Sequence, residues 1–244
     1  MVTYLLKKSY LLKDLKEIKF QDLWGDNGIF TTMWIFGKPS KILFFNKHIQ
    51  NLIKSLKVYR LYKINLEKII LKLIKRNINK NRKYNHLLRV AVNSNIISIS
   101  LRRRVKPKLE FNLKLINYKR NKPEFKNLKY QIILKYLSKM DNSTSDIGLC
   151  NKGRIFESGT SNILFFKKNK IFSPKDKIYK GITYNLFDKR LKKIIKKDIL
   201  VKSLHEYEEI ILIGSGKGVA SVNTIKDIKW KRKSLKNYKF LLNH

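Results

Sequence analysis

The residues whose types and spacing suit chemistry are a lysine segment, one glutamate and two glycine-containing turns. The lysine segment is Lys126-Asn127-Leu128-Lys129-Tyr130. A lysine amine attacks carbonyl carbon once burial or neighbouring positive charge lowers its pKa and leaves it neutral. With 56 lysines and arginines in 244 residues, residue type alone selects none of them, because most such side chains are solvated charges. Glu157 opens the run Glu157-Ser158-Gly159-Thr160-Ser161-Asn162 and stands out because Asp and Glu number only 17. Its bland alternative is an exposed turn glutamate, with Thr160 and Asn162 holding the turn through side-chain to backbone hydrogen bonds. Gly181-Ile182-Thr183 precedes a predicted helix and Ser215-Gly216 follows a predicted strand. Backbone N–H groups at such transitions cradle anions. The run Gly214-Ser215-Gly216-Lys217-Gly218 is neither a Walker A loop nor a dinucleotide fingerprint, since Lys217 precedes a glycine. By itself it reads as a glycine turn.

Other chemistries find little support. His48, His86, His205 and His244 are dispersed, with no metal-ligand spacing, and His48 reads as a structural helix residue. The single cysteine, Cys150, rules out an internal disulfide and reads as a small strand residue. The N-terminus carries no signal-like apolar run, and no stretch reaches the ~18 apolar residues of a membrane span. A soluble, cytoplasmic protein is expected. The formal net charge of +39 would attract any polyanion. The basic residues are nevertheless spread along the chain among Ile, Asn, Phe and Tyr, all with AT-rich codons, and form no tail or arm. Compositional drift accounts for that pattern better than a selected nucleic-acid surface. Segments such as KVYRLYK at 57–63 could stack on single strands, although aromatics at helical spacing more often pack on a core.

Several elements must position the candidate groups. Residues 29–46 read as a hairpin around Gly37-Pro39. Apolar positions 49, 52, 53 and 56 predict a helix over 48–60, and the pattern repeats over 66–74. Strands are expected at 87–92, 96–101 and 112–117. The polar stretch 118–126, with Pro123, breaks the periodicity. The predicted division is therefore an α+β N-terminal lobe at 1–118, a connection at 119–126 and an α/β C-terminal lobe at 127–244. In the second lobe helices are expected near 127–140 and 184–197, with strands at 146–150, 162–167, 170–172, 209–213 and 219–225. A cleft between lobes is where a cofactor would be sought.

Four segments in collinear order, WGDNGIFTT (24–32) with HIQNL (48–52), KNLKY (126–130), RIFESGTSNILFF (154–166), and SPKDKIYKGIT (173–183) with IGSGKGVASV (213–222), resemble the class IV aminotransferase family. The resemblance spans most of the chain. It implies an α/β (α+β) two-lobed fold of the fold-type IV kind with pyridoxal 5'-phosphate between the lobes. Lys126 is then the catalytic lysine that bonds to the cofactor, with Lys129 as its rival one helical turn away. Glu157 is implied beside the pyridine nitrogen, where a carboxylate keeps that nitrogen protonated and the ring an electron sink. Ile182, Thr183, Ser215 and Gly216 are implied phosphate contacts. A homodimer borrowing a loop from its partner, and a small anionic amine or amino-acid substrate, are implied as well. Thr31 and Thr32 are candidates to face substrate, although strand alternation turns only one of them inward.

Two chemistries share this scaffold: amino-group transfer to a 2-oxo acid, and elimination of pyruvate from 4-amino-4-deoxychorismate to give 4-aminobenzoate for folate. The short chain and the segment Gly25 to Thr32 look more like the lyase or a D-amino-acid-type transaminase. Two departures stand against the family pattern. Asn51 replaces the arginine of His-x-x-Arg-Leu that would reach the phosphate, and Tyr184 follows Gly181-Ile182-Thr183 where arginine is common. The first removes a charge-assisted contact; Lys217 or the Arg102-Arg103-Arg104 cluster are candidates to compensate by charge type. A homologue that has lost catalysis, and a basic nucleic-acid-binding protein, are the competing accounts.

Overall fold

The computed structural model describes residues 3–191 and 193–243; His244 lies outside them. The chain divides into two compact units, residues 1–104 with 125–130, and residues 105–124 with 131–244.

The first unit is an antiparallel sheet covered on one face by two helices. Its elements are β1 (Tyr4–Leu11), β2 (Glu17–Ile18), β3 (Gly28–Gly37), β4 (Lys41–Ile42), α1 (Phe45–Val58), α2 (Leu66–Asn77), β5 (Tyr84–Asn93) and β6 (Ile96–Arg103). The strand order is β2-β1-β6-β5-β3-β4. The expected hairpin is present, with Ile35 opposite Ile42, but its second strand is two residues long and the main partner of β3 is β5. Neither helix has a side-chain N-cap; Phe44 and Asn65 enter them in the left-handed conformation. Their anchorage is therefore the apolar stripe. Ile49, Leu52, Ile53 and Leu56 of α1 and Leu66, Ile70, Leu73 and Ile74 of α2 pack on Ile29, Met33 and Ile35 of β3 and on alternate residues of β5 and β6. Each such side chain contributes at most about 1.5–3 kcal/mol on burial.

The second unit is built on a ten-stranded mixed sheet. Its elements are β7 (Phe111–Asn117), α3 (Gln131–Leu137), β8 (Ser145–Asn151), β9 (Arg154–Ser158), β10 (Asn162–Lys167), β11 (Lys170–Pro174), α4 (Ile182–Leu191), β12 (Ile194–Lys197), β13 (Ile199–Leu200), β14 (Glu209–Gly214), β15 (Gly218–Ile225), β16 (Trp230–Lys231) and α5 (Lys236–Leu242). The order is β12-β11-β10-β14-β15-β7-β8-β9-β13, with β16 paired to β15. Strands β10 and β14 are apolar at consecutive positions because both faces are covered. Ile163, Phe165, Ile210 and Leu212 join Tyr207 and Trp230 on one side, while Leu164, Phe166, Ile211 and Ile213 meet Tyr184 and Phe187 of α4 and Leu241 of α5 on the other.

Three expectations differ from this architecture. Strand 112–117, assigned from sequence to the first lobe, is β7 of the second unit, running parallel to β8 and β15. The helix expected over 127–140 covers only Gln131–Leu137, because the residues before it are extended. The helix expected over 184–197 ends at Leu191, and Ile194–Lys197 form an edge strand parallel to β11; Lys192, inside that expected helix, is outside the described residues. Among the described residues no helix is long and apolar enough to cross a membrane.

Candidate cofactor site

Lys126 belongs to the first unit. The strip carrying it runs along β3 on the edge opposite β5. Phe30 N–H donates to the Lys126 carbonyl at 2.9 Å, Leu128 N–H donates to the Gly28 carbonyl at 2.9 Å, and Ile29 bridges Asn127. This approach explains Gly28: a Cβ there would lie 2.4 Å from the Val92 carbonyl oxygen and 2.5 Å from Leu128 Cδ1. The backbone of Lys126 is thus held as a sheet residue. Its Nζ lies 5.1 Å from the Phe30 ring centroid. Lys129, the rival, is exposed and donates from Nζ to the Gly25 carbonyl.

His48 on α1 is buried, and its Nδ1 lies 2.8 Å from the Thr31 hydroxyl. Burial first, and then the positive charge of Lys126, pushes its pKa down to about 3, so the imidazole is neutral at ordinary pH. Thr31 is therefore committed to α1, and Thr32 shares the opposite face of β3 with its cross-strand partner Arg89. Arg89 went unnoticed in the sequence. Its guanidinium carbon stands 3.6 Å from the Trp24 ring centroid and 5.5 Å from that of Phe30, and Nη2 donates to the Asp22 carbonyl at 2.6 Å. Burial lowers its pKa to about 10, still cationic at neutral pH. A guanidinium held over aromatic rings is suited to receive a carboxylate. Asn51 sits on α1, where its carbonyl accepts from the Ser55 hydroxyl at 2.7 Å.

Glu157, Ile182, Thr183, Ser215, Gly216 and Lys217 all lie in the second unit. Glu157 is on β9 rather than in a turn, and is 5% exposed. Its Oε1 accepts from Arg120 Nε at 2.7 Å and its Oε2 from the Tyr179 N–H at 3.2 Å. Arg120, itself 2% exposed, also donates from Nη2 to the Pro123 carbonyl at 2.6 Å. Two donors thus satisfy a carboxylate taken out of water, the condition under which a buried charge persists. Asn162 clasps the loop ahead of α4, donating from Nδ2 to the Tyr179 carbonyl at 2.6 Å and accepting from the Gly181 N–H at 3.1 Å. Helix α4 then starts at Ile182, two residues ahead of the expected start at 184. The hydroxyls of Thr183 and Ser215 are 3.1 Å apart, so the N-terminus of α4 and the turn between β14 and β15 adjoin. That juxtaposition presents two sets of backbone N–H groups where an anion could be taken.

The structure thus draws Glu157, Ile182, Thr183, Ser215 and Gly216 into one region of the second unit, and puts Lys126 on the first. Of the proposed compensating cations, Lys217 is ion-paired with Asp146 at 3.1 Å, and Arg104 lies 4.3 Å from the Trp34 ring centroid. The sequence overlooked Arg120, hidden in a run of cations before Pro123; nothing local marks which of those will be buried.

The sequence profile described as amino-transferase class IV matches residues 28–225. No match is found among curated proteins. Among solved structures, a branched-chain aminotransferase from Thermoproteus uzoniensis with norvaline superposes with a TM-score of 0.76 at 17% identity, covering 97% of this chain and 92% of the other. A Legionella pneumophila protein, provisionally named a 4-amino-4-deoxychorismate lyase, gives 0.70 at 16% identity over 89% and 90% of the two chains. The PLP-bound form of a hypothetical aminotransferase from Mycobacterium tuberculosis gives 0.68 at 14% identity, covering 98% of both. At these identities the likenesses establish the fold. With its profile match spanning most of the chain, this protein belongs to the class IV aminotransferase family.

Proposed function

We propose that this chain is a pyridoxal-phosphate enzyme that eliminates pyruvate from 4-amino-4-deoxychorismate, with Lys126 as its catalytic lysine. The observation that carries the cofactor reading is Glu157: a buried carboxylate held by Arg120 and the Tyr179 N–H in a chain poor in acids. Such a group suits a protonated pyridine nitrogen. The neighbouring N–H groups of Ile182, Thr183, Ser215 and Gly216 suit a phosphate. When bound, the cofactor supplies an aldehyde that captures an amine and a ring that withdraws electrons from the carbon bearing it.

In this reading Lys126 would hold the cofactor, and its Nζ, once free of it, would take the proton from the substrate carbon that carries the amine. The ether C–O bond breaks with its electron pair leaving on the enolpyruvyl oxygen, and a proton returned to the enolpyruvyl methylene carbon completes pyruvate. Atoms and electrons balance without an oxidant. The Arg89 guanidinium over Trp24 suits a substrate carboxylate in this reading. The short chain and the Gly25 to Thr32 segment look more like the lyase or a D-amino-acid-type transaminase than a branched-chain transaminase, and of these the lyase is the reading taken. The family resemblance also carries a homodimer, which sedimentation would test.

The test is absorbance with added pyridoxal phosphate before and after borohydride, for the wild type, Lys126→Ala and Lys129→Ala. Covalent retention of the cofactor after denaturation is expected in the wild type and Lys129→Ala, and its loss in Lys126→Ala. Pyruvate release from 4-amino-4-deoxychorismate, without any need for a 2-oxo acid, is expected of the lyase. Amino transfer to 2-oxo acids with no pyruvate release would replace that reading by the transaminase.

A further inference from the structure

Lys217 and Asp146 form a buried ion pair: Nζ lies 3.1 Å from Oδ2, with the side chains 9% and 0% exposed. Asp146 Oδ2 also accepts from the hydroxyls of Thr160 at 2.7 Å and Ser158 at 3.1 Å, while Oδ1 accepts from the Ile147 N–H at 2.8 Å. Ser158 and Thr160 lie one and three residues after Glu157. Lys217 belongs to the turn that contains Ser215 and Gly216, and its Nζ stands 4.5 Å from the Phe111 ring centroid. One carboxylate therefore fastens the strand end that carries Glu157 to the turn implied to take the phosphate. The two turns touch closely enough that a Cβ on Gly214 would come within 3.2 Å of Ser161 Oγ. On the far flank of the same turn, Ser215 meets Thr183.

A buried ion pair seldom adds net stability over an apolar pair of similar volume, because desolvation offsets the attraction. What it fixes is geometry. Without a tether a glycine-rich turn has many accessible backbone states, and its N–H groups would have to be ordered anew by each ligand, at a cost in affinity.

We propose that Lys217 is a positioning residue for the cofactor phosphate. Through Asp146 it sets the 214–218 turn against the segment that follows Glu157, so that the Ser215 and Gly216 N–H groups stand ready for the phosphate while Glu157 holds the ring nitrogen. The inference rests on the cofactor reading above, and it gives Lys217 a role other than direct contact with the anion.

The experiment is equilibrium binding of pyridoxal phosphate, and of pyridoxal, which lacks the phosphate, to the full-length wild type, Lys217→Met, Lys217→Arg and the doubly neutral Lys217→Met/Asp146→Leu. Tenfold or greater weakening toward pyridoxal phosphate, on the order of one lost charge-assisted contact, is expected for Lys217→Met, with pyridoxal affinity held within about twofold. Lys217→Arg should restore most of the loss. The double variant, which leaves no uncompensated buried charge, should fold and show the same selective weakening, so that misfolding of Lys217→Met does not decide the matter. Unchanged pyridoxal phosphate affinity in the double variant, or an equal loss toward both ligands, overturns the proposal. A wild type that binds neither ligand overturns the cofactor reading and the inference with it.

Discussion

The two units treat buried charge in opposite ways. In the second, charges taken out of water meet partners that are themselves charged or are backbone donors: Arg120 with Glu157, Lys217 with Asp146, and Glu209, whose carboxylate accepts from the Asn237 N–H and side chain and from the Tyr238 N–H. In the first, half-buried cations lie against aromatic rings. Arg89 stacks over Trp24, Arg104 over Trp34, and Lys126 stands near Phe30, while the neutral imidazole of His48 rests on Thr31. Paired charges fix geometry, because each partner specifies where the other must be. Cations over rings keep most of their field for whatever anion arrives. The second unit fixes its buried charges by mutual pairing, whereas the first sets its cations against aromatic faces.

The contrast can be broken first at its strongest point. Glu157→Gln leaves Arg120 buried beside a neutral amide, and should cost about 3–5 kcal/mol in urea unfolding. Arg120→Met/Glu157→Leu should recover most of that stability while leaving no carboxylate for a ring nitrogen. A Glu157→Gln loss below about 1 kcal/mol would mean that this pair behaves like an exposed one.

The pH response of the first unit comes next. The unfolded chain protonates His48 near 6.5, whereas the folded chain resists protonation down to about 3. Across that window the unfolded state binds the extra proton, so the contribution of His48 to stability falls as pH drops, by up to about 1.4 kcal/mol per unit. His48→Gln retains a partner for Thr31 and removes the titration. Between pH 6.5 and 5 its stability relative to wild type should improve by about 2 kcal/mol, and parallel stability curves for the two proteins would refute the assignment.

The smallest effect is expected at Arg89. Arg89→Met should lower stability by about 1 kcal/mol and change the emission of Trp24, because a cation over the indole face is exchanged for a thioether. No change in either would mean that the stack contributes nothing.

How much of this was legible in the sequence depended on the range of the interactions involved. Helices α1 and α2, the β3 hairpin and strands β5, β6, β8, β10, β14 and β15 follow from local periodicity and turn residues, and their limits agree to within a few positions. Helix α4 was expected from 184 and begins at Ile182, so Gly181 directly precedes it. The placement of β7 was not legible, because its partners β8 and β15 lie far along the chain and a parallel pairing leaves no local turn. The strip at 126–128 looked like the start of a helix, yet its extended form comes from hydrogen bonds to residues almost a hundred positions earlier. Glu157 was legible as a type in a motif; its burial depended on Arg120, one cation among many. Ile194 and Ile195 continue an apolar rhythm that fits a helix, until β11 offers an edge to pair with.

The six-residue strip that carries Lys126 also bears on how the protein is made. It belongs to the first unit, though it is joined on both sides to stretches of the second. A ribosome releases the chain from its N-terminus, so the first sheet can form before the strip appears, with the Gly28–Phe30 edge of β3 still bare. Docking of residues 125–130 seals that edge and installs the lysine, while β15, the partner of β7, is still almost a hundred codons away. Lys126 is thus set against a sheet whose other strands have already been synthesised. A gene split at residue 104 would yield an N-terminal fragment lacking both its last edge pairing and Lys126, the proposed cofactor lysine.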